Sequence, residues 1–537
     1  MKKNNTISGV IALLISQVLV KMFGLVYKLY LANKTGFGDM GNAIYNSGYQ
    51  IYALLLTIST IGVPSAVAKL VAEQNNSRNR LAILKSSLVA FSIIGIVGSI
   101  VLIKSSNFIA TKMLDIPEAK KSIIALSPAI FNVCIISVYR GYFNGINKIN
   151  ITAKSQTIEQ IFKTIFTIVF VEIVCIFSFS NVVYMAAFAN FATTAATMCG
   201  VIYLCMKNRG EKDSSCVSIK KICKILCIAF PISISAILAS LNKNIDSITV
   251  IRFLKLYMSE EKARIQYGIL SGKIDVISSV PVSFIISISA TIIPMVASYN
   301  RNNNKREICD IVRKYIKYTT LFILPCCVCM FIFSKEILEL LFGSSDGAIY
   351  FKISSLAIIF IAMEQIINSV LQGMGRVFVP AIALGVGVIA KLILNLQLLK
   401  LSPEQYWYGG VAGCCVATLV CHIIAFFIAF SVLKVELKLK FKNFKFLLKA
   451  IIASCIMAVS WYYTCFILNG IIIKKLAIIL AGIIAVFIYM VSIYLLKLFS
   501  DNELSFVYEC TKHDKIEKNK KTIKNKEKRR ILYKNGE

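Results

Sequence analysis

Fourteen stretches of about twenty mostly apolar residues recur along this chain, starting near Ile7, Ala43, Leu81, Ser122, Thr157, Val182, Ile222, Gly268, Ile316, Ile349, Phe378, Trp407, Leu447 and Ile471. Each is long enough to cross the hydrocarbon core of a bilayer as a helix. Lipid offers backbone amides no partner, so a chain built this way must satisfy them within each helix or in a closed barrel. The expected fold class is all-α: a polytopic membrane protein with about 14 transmembrane helices. Composition agrees. Of 537 residues 57% are hydrophobic and only 16% charged, where a soluble domain carries about a quarter charged. The N-terminal Met1-Lys2-Lys3 precedes an apolar run that continues to about Leu31 without a small-x-small cleavage site, so it reads as the first membrane helix rather than a signal peptide.

The net charge is +33. In a soluble protein that would suggest nucleic acid, but no aromatic-interleaved basic module accompanies it, and none is expected as a partner. In a membrane protein it reports loop orientation. The even-numbered loops carry about 24 Lys and Arg and the odd-numbered about 13, an asymmetry that puts both termini in the cytoplasm of a multi-pass cell-membrane protein. A basic tail, residues 501–537, is expected to rest on anionic membrane lipid. The seventeen cysteines lie mostly in apolar runs, as in Cys326, Cys327 and Cys329, where they act as small hydrophobes. No metal-ligand spacing and no nucleophile–base set is present; His422 and His513 are the two histidines. No enzyme, metal or cofactor is expected.

The chain repeats itself. Pro64, closing the second helix, and Pro294, in the eighth, are 230 positions apart, as are Gly145 and Gly375 closing the fourth and tenth. Six helices lie between equivalent points, so the copies share one orientation. Parallel repeats of this kind commonly bind substrate between halves near the midplane. The expected organisation is one six-helix lobe over 1–210, a second over 211–440, two added helices over 441–500, and the tail.

Ionisable residues at mid-bilayer cost at least about 2.5–3.5 kcal/mol and usually face protein or a water-filled cavity. Gln17, Lys21 and Lys28 share one face of the first helix. The second offers Asn46 and Gln50, the seventh Asn244 and Asp246, and the eighth Lys273 and Asp275. These four helices are repeat equivalents, and their polar faces are expected to meet in one central cavity. Each residue also has a structural reading: snorkelling for the lysines, helix–helix hydrogen bonds for the asparagines, and pairing with a neighbouring lysine for Asp246. A second polar set reads as structural. Glu159 and Lys163 are an i, i+4 pair; Glu364, Asn368 and Gln372 form a stripe; Lys391 is a candidate partner for Glu364.

Several segments resemble a known family. Gly48 through Pro64, then Ala68-Lys69-Leu70-Val71-Ala72-Glu73, is similar to the second helix of the stage V sporulation protein B group. Arg140-Gly141-Tyr142-Phe143-Asn144-Gly145 with Gln156, Glu159 and Gln160, and Leu371-Gln372-Gly373-Met374-Gly375-Arg376 followed by Pro380, are similar to its fourth, fifth and tenth helices. That group sits in the multidrug/oligosaccharidyl-lipid/polysaccharide (MOP) exporter superfamily with the MurJ lipid II flippases. The resemblance implies a flippase for undecaprenyl-pyrophosphate-linked sugars, with a lipid-linked oligosaccharide as partner and Na+ or H+ as the coupling cation to be identified. It also implies basic residues on the first and eighth helices, where this chain has Lys21 and, nearest to the second, Lys273 with Asp275. Lysine keeps the charge but loses bidentate phosphate recognition. No Walker-type sequence is present, so ATP hydrolysis by this chain is not expected. Two alternatives stand beside this reading: a cation-coupled multidrug exporter, which would lean on Asp246, and a non-transporting scaffold for cell-wall or spore-coat synthesis.

Overall fold

The computed structural model describes residues 2–57, 59, 62–74, 76–177, 181–208, 217–438, 444–469 and 473–498. The basic tail, residues 501–537, lies outside them, as does the side chain of Pro294. The chain divides into two compact units, Met1–Lys440 and Phe441–Glu537.

The first unit holds helices α1 Lys2–Asn33, α2 Gly38–Thr57, α3 Val63–Ala72, α4 Ser77–Phe108, α5 Ala119–Gly145, α6 Ile149–Phe177 and α7 Val182–Asn208. It continues with α8 Ile219–Leu254, α9 Glu260–Ile269, α10 Asp275–Arg301, α11 Lys305–Ile332, α12 Ser334–Phe342, α13 Ala348–Gly373, α14 Phe378–Leu398 and α15 Gly410–Leu437. The second unit holds α16 Phe444–Asn469 and α17 Lys474–Leu495, packed against each other. Among the described residues 11 helical runs are long and apolar enough to span a membrane. The α1 helix, the α2–α3 pair and α8 bring the count to the fourteen read from sequence. These spans are the only way such a sequence can satisfy its amides in lipid. Along α4 the large side chains of Ile93, Ile96, Val97, Ile100 and Val101 stand exposed, as a lipid-facing surface requires.

Interruptions of the helices sit where sequence demands them. Pro64 opens α3, where a missing N–H costs nothing. The eighth span changes pitch through a π-helical turn, Leu270–Ile274, between α9 and α10. Such turns insert a residue and re-aim the side chains around them.

Helices α5 and α13 close with the same hydrogen-bond pattern. Lys148 N–H donates to Phe143 O and Arg376 N–H to Leu371 O, both at 2.8 Å. The left-handed positions that make these caps possible are Asn147, at φ 60°, and Gly375, at φ 85°. By cap geometry Gly375 therefore corresponds to Asn147 and not to Gly145. A Cβ on Gly145 would lie 2.8 Å from Val71 Cβ, and one on Gly373 2.8 Å from Val296 Cβ. Both ends of the repeat use a small residue where two helices touch, with the match two residues away from the offset read in sequence.

Candidate functional site

One stripe of α2 organises the centre of the first unit. Its first half, Asp39, Asn42 and Asn46, lies against α9 and the π turn. Gly268 and Gly272 allow that approach: a Cβ on Gly268 would strike the backbone of Asp39, and one on Gly272 would lie 2.5 Å from Asn42 Cγ. Asn46 Nδ2 donates to Ser271 Oγ at 3.3 Å, and Lys273 pairs with Asp39 at 2.9 Å. Further along the stripe Gln50 and Ala53 face a cavity of about 800 Å³. Lys21 of α1, Lys243 and Asp246 of α8, Asp275, Ser279 and Ser283 of α10, Glu364 and Asn368 of α13, Lys391 of α14 and His422 of α15 line it too.

Most of the charges here have partners. Lys391, 1% exposed, donates to Asp246 Oδ2 at 2.6 Å, Asn242 Oδ1 at 2.7 Å and Asn242 O at 2.8 Å. Asp246 Oδ1 accepts from Asn395 Nδ2 at 3.1 Å and Cys414 Sγ at 3.0 Å. Glu364 Oε2 lies 2.8 Å from His422 Nδ1, and Asn368 Nδ2 donates to Glu364 Oε1 at 3.2 Å. Lys243 and Asp275 approach at 3.8 Å. Lys21 makes no ion pair or hydrogen bond among the described residues and opens into the cavity. Lys28, two turns further along α1, likewise has none, and it lies within electrostatic reach of Lys21, Lys243, Lys163 and Asp275.

Of the residues singled out in sequence, Lys21, Gln50, Asp246 and Asp275 line the cavity together. Four others do not. Gln17 turns to α6 and donates to Gln156 Oε1 at 3.0 Å. Asn46 belongs to the seam described above. Asn244 is buried and returns its Nδ2 to Ser240 O at 3.0 Å. Lys273 is held by Asp39 and, at 3.2 Å, by Ser344 Oγ, because residues two apart do not share a helix face and Asp275 takes the cavity side.

The second polar set is also rearranged. Glu159 bonds Arg140, at 2.8 Å, instead of Lys163; the guanidinium reaches it from α5 and also donates to Ser155 Oγ. Lys163 instead lies 4.4 Å from the Tyr49 ring centroid and 5.1 Å from that of Tyr27, a cation–π site. Glu364 takes His422, and Lys391 takes Asp246, so the expected Glu364–Lys391 pair is not made. All three of Glu364, Asn368 and Lys391 line the cavity that the sequence reading had kept for other helices. His422 was the residue missed as a link. A single histidine inside an apolar helix, at a helical register that could face the stripe of α13, was the available signal.

The fold is similar to that of solved transporters. It matches a lipid II flippase MurJ in an inward closed conformation with a TM-score of 0.70, at 16% identity over 91% of this chain and 99% of that one. It also matches an inward-facing MATE multidrug transporter of the MOP superfamily with a TM-score of 0.63, at 12% identity over 79% and 98%. The fold is thus the all-α, multi-pass architecture of MOP-type transporters. Within that class the chain belongs to the polysaccharide biosynthesis protein family, whose model matches residues 6–300; the MatE model matches residues 273–396. Among curated relatives, lipid II flippase MurJ of Bacillus subtilis (strain 168) is 24% identical over 79% of this chain and 82% of its own length. Stage V sporulation protein B of the same organism is 23% identical over 70% and 74%.

Proposed function

We propose that this protein is a flippase that carries lipid-linked sugars with an anionic diphosphate head group across the cytoplasmic membrane, with both termini in the cytoplasm. The observation that carries this reading is the charge of the cavity. Its carboxylates all have hydrogen-bond or ion partners, whereas Lys21 does not. An unpartnered cation in a low-dielectric cavity attracts an anion far more strongly than it would in water. The name of one relative, a lipid II flippase, points to the same substrate class. A polyprenyl tail can stay in lipid while the head group crosses.

The two-lobe organisation, residues 1–210 and 211–440, supports rocking about this site. An exporter of cationic drugs would want an unpaired carboxylate here, and Asp246, its best candidate, already bonds Lys391, Asn395 and Cys414.

The test is translocation of a fluorescent undecaprenyl-diphosphate sugar in vesicles holding the purified protein, with a neutral-headed polyprenyl glycoside as control. Movement of the diphosphate lipid alone is expected. Equal movement of both, or of neither with folded protein, would overturn the reading.

A further inference from the structure

We propose that the connection between α14 and α15 is an anchor in the bilayer interface: Tyr406 and Trp407 seat in the head-group layer of the surrounding phospholipids and set the depth of the helix pair behind them. The anchor requires only that the chain spans a membrane, and it holds whatever the cavity carries.

Helix α14 carries its own ruler. Phe378, Ile382, Val386, Ile389, Ile393 and Leu396 are all exposed, spaced by three or four residues along one face. On a membrane-spanning helix such a stripe faces lipid. The 18 positions from 378 to 396 rise by about 27 Å at about 1.5 Å per residue, close to the hydrocarbon thickness of about 30 Å. The stripe thus takes up nearly the whole apolar layer, and the chain after Leu396 lies at its polar boundary. Cations bracket it as that placement requires: Arg376 precedes the stripe and Lys400 follows it, both exposed.

A polar loop would suffice at that boundary. This one presents two large rings, Tyr406 at 42% and Trp407 at 68% exposed, and the loop that carries them is tightly built. Tyr406 N–H donates to Ser402 O at 3.0 Å, Glu404 N–H to Ser402 Oγ at 3.3 Å, and Gly409 N–H to Tyr406 O at 2.8 Å. A Cβ on Gly409 would lie 2.6 Å from Leu401 O, and Gly410 takes φ 58°, so the loop closes against its own start only with glycine at both positions. The half-buried Tyr408 braces the exposed pair: its ring centroid is 5.5 Å from that of Trp407, at 90° between planes, and 5.6 Å from that of Tyr406. Indole and phenol rings suit the interface because the ring body is apolar while the N–H or O–H reaches water and phosphate.

Exposed aromatic rings also bind carbohydrate, but a sugar stacks on an open flat face. The perpendicular Trp407 and Tyr408 make a wedge, the shape that inserts between head groups. Lys391, Asn395 and Cys414, which hold Asp246 at the cavity, sit on α14 and α15, and the two helices pack along each other. Fixing the loop at the interface therefore fixes the height of that buried network in the bilayer.

Tryptophan fluorescence tests the anchor, because the chain has two tryptophans and Trp461 lies in α16. Full-length Trp461→Phe in phosphatidylcholine/phosphatidylglycerol vesicles leaves Trp407 as the sole indole. If that variant does not fold, the spectrum of the wild type minus that of Trp407→Phe gives the same signal. The expected emission lies to the blue of tryptophan in water. It should be quenched strongly by phospholipid brominated near the head group, less by phospholipid brominated near the chain ends, and little by aqueous iodide. Emission as in water, with iodide quenching and none from either lipid, would overturn the proposal. So would strongest quenching from the chain ends, which puts the ring in hydrocarbon. A response of Trp407 to chitotriose without quenching by brominated lipid would give the loop to carbohydrate and overturn it too. Depth is the second readout. A nitroxide on Leu396→Cys, in a background without native cysteines, should become more accessible to the water-soluble relaxant nickel ethylenediaminediacetate when Tyr406→Ser and Trp407→Ser are added. Unchanged or lower accessibility would show that the rings anchor nothing.

Discussion

Lys273 of the π turn and Asp39 at the start of α2 form an ion pair of 2.9 Å, with side chains only 5% and 17% exposed. Two charges this far from water persist because each satisfies the other. Removing one partner of such a pair is typically destabilising by about 3–5 kcal/mol, whereas replacing both is often near neutral. The pair latches the start of α2 to the π turn that follows α9, beside the point where Gly268 meets the backbone of Asp39. Lys273→Met should therefore loosen this seam, seen as faster backbone hydrogen exchange in α2 and α9 and a lower unfolding temperature. Lys273→Met with Asp39→Asn should recover most of the loss. Unchanged exchange in the single variant would show that the pair holds nothing closed.

The glycines of the same seam give an independent test. A methyl group on Gly268 meets the backbone of Asp39, which cannot move aside, and one on Gly272 meets the Asn42 side chain at 2.5 Å. Gly268→Ala is expected to hold the seam apart and Gly272→Ala to do so less, since a side chain can rotate away. Thiol cross-linking across α2 and α9, in a background without native cysteines, should fall in that order. Equal cross-linking in both variants and wild type would remove the steric argument.

These two features mark where sequence reading succeeds and where it stops. Apolar length alone told of fourteen spans, because lipid leaves the backbone no other solution. Lys21, Gln50, Asp246 and Asp275 were legible as cavity residues because polar groups at mid-span have few places to go. Partners were not legible. Glu159 has Lys163 one turn away, yet Arg140 of α5 reaches it with a planar fork that also bonds Ser155. Glu364 and Lys391 have matching charge, but helix rotation turns each to a third helix, His422 of α15 and Asp246 of α8. Lys273 was misplaced because residues two apart do not share a helix face, so with Asp275 at the cavity Lys273 turns to Asp39 of α2.

The choice Glu159 makes between its two basic neighbours can be measured. A double-mutant cycle between Arg140 and Glu159 should return a coupling of about 1–3 kcal/mol in unfolding free energy, while the cycle between Glu159 and Lys163 should return close to zero. Lys163→Met should be costly by itself, through lost contact with Tyr27 and Tyr49. Lys163→Arg should be milder, since a guanidinium also stacks on aromatic rings. Strong coupling to Lys163 would restore the i, i+4 pair and contradict the geometry.

Lys21 is the residue on which the functional reading is most exposed. It lies within a membrane helix, lines the cavity, and has no carboxylate at i±3 or i±4, where Gln17, Val18, Gly24 and Leu25 stand. The two cavity aspartates that could have neutralised it are engaged, Asp246 by Lys391 at 2.6 Å and Asp275 by Lys243 at 3.8 Å. A cation left this way is costly unless water or an anionic ligand meets it. Lys21→Ala should abolish translocation of the diphosphate lipid while insertion and unfolding temperature stay as in the wild type, because no protein partner is stranded. Lys21→Arg should retain transport, since it keeps the charge and adds a fork suited to phosphate. The competing account, that Lys21 balances an aspartate in another state of the cycle, predicts rescue by Lys21→Ala combined with Asp275→Asn. The anion-binding account predicts that this double variant folds and stays inactive. Transport by Lys21→Ala at the wild-type rate, with normal expression, would end the assignment of Lys21 to the head group.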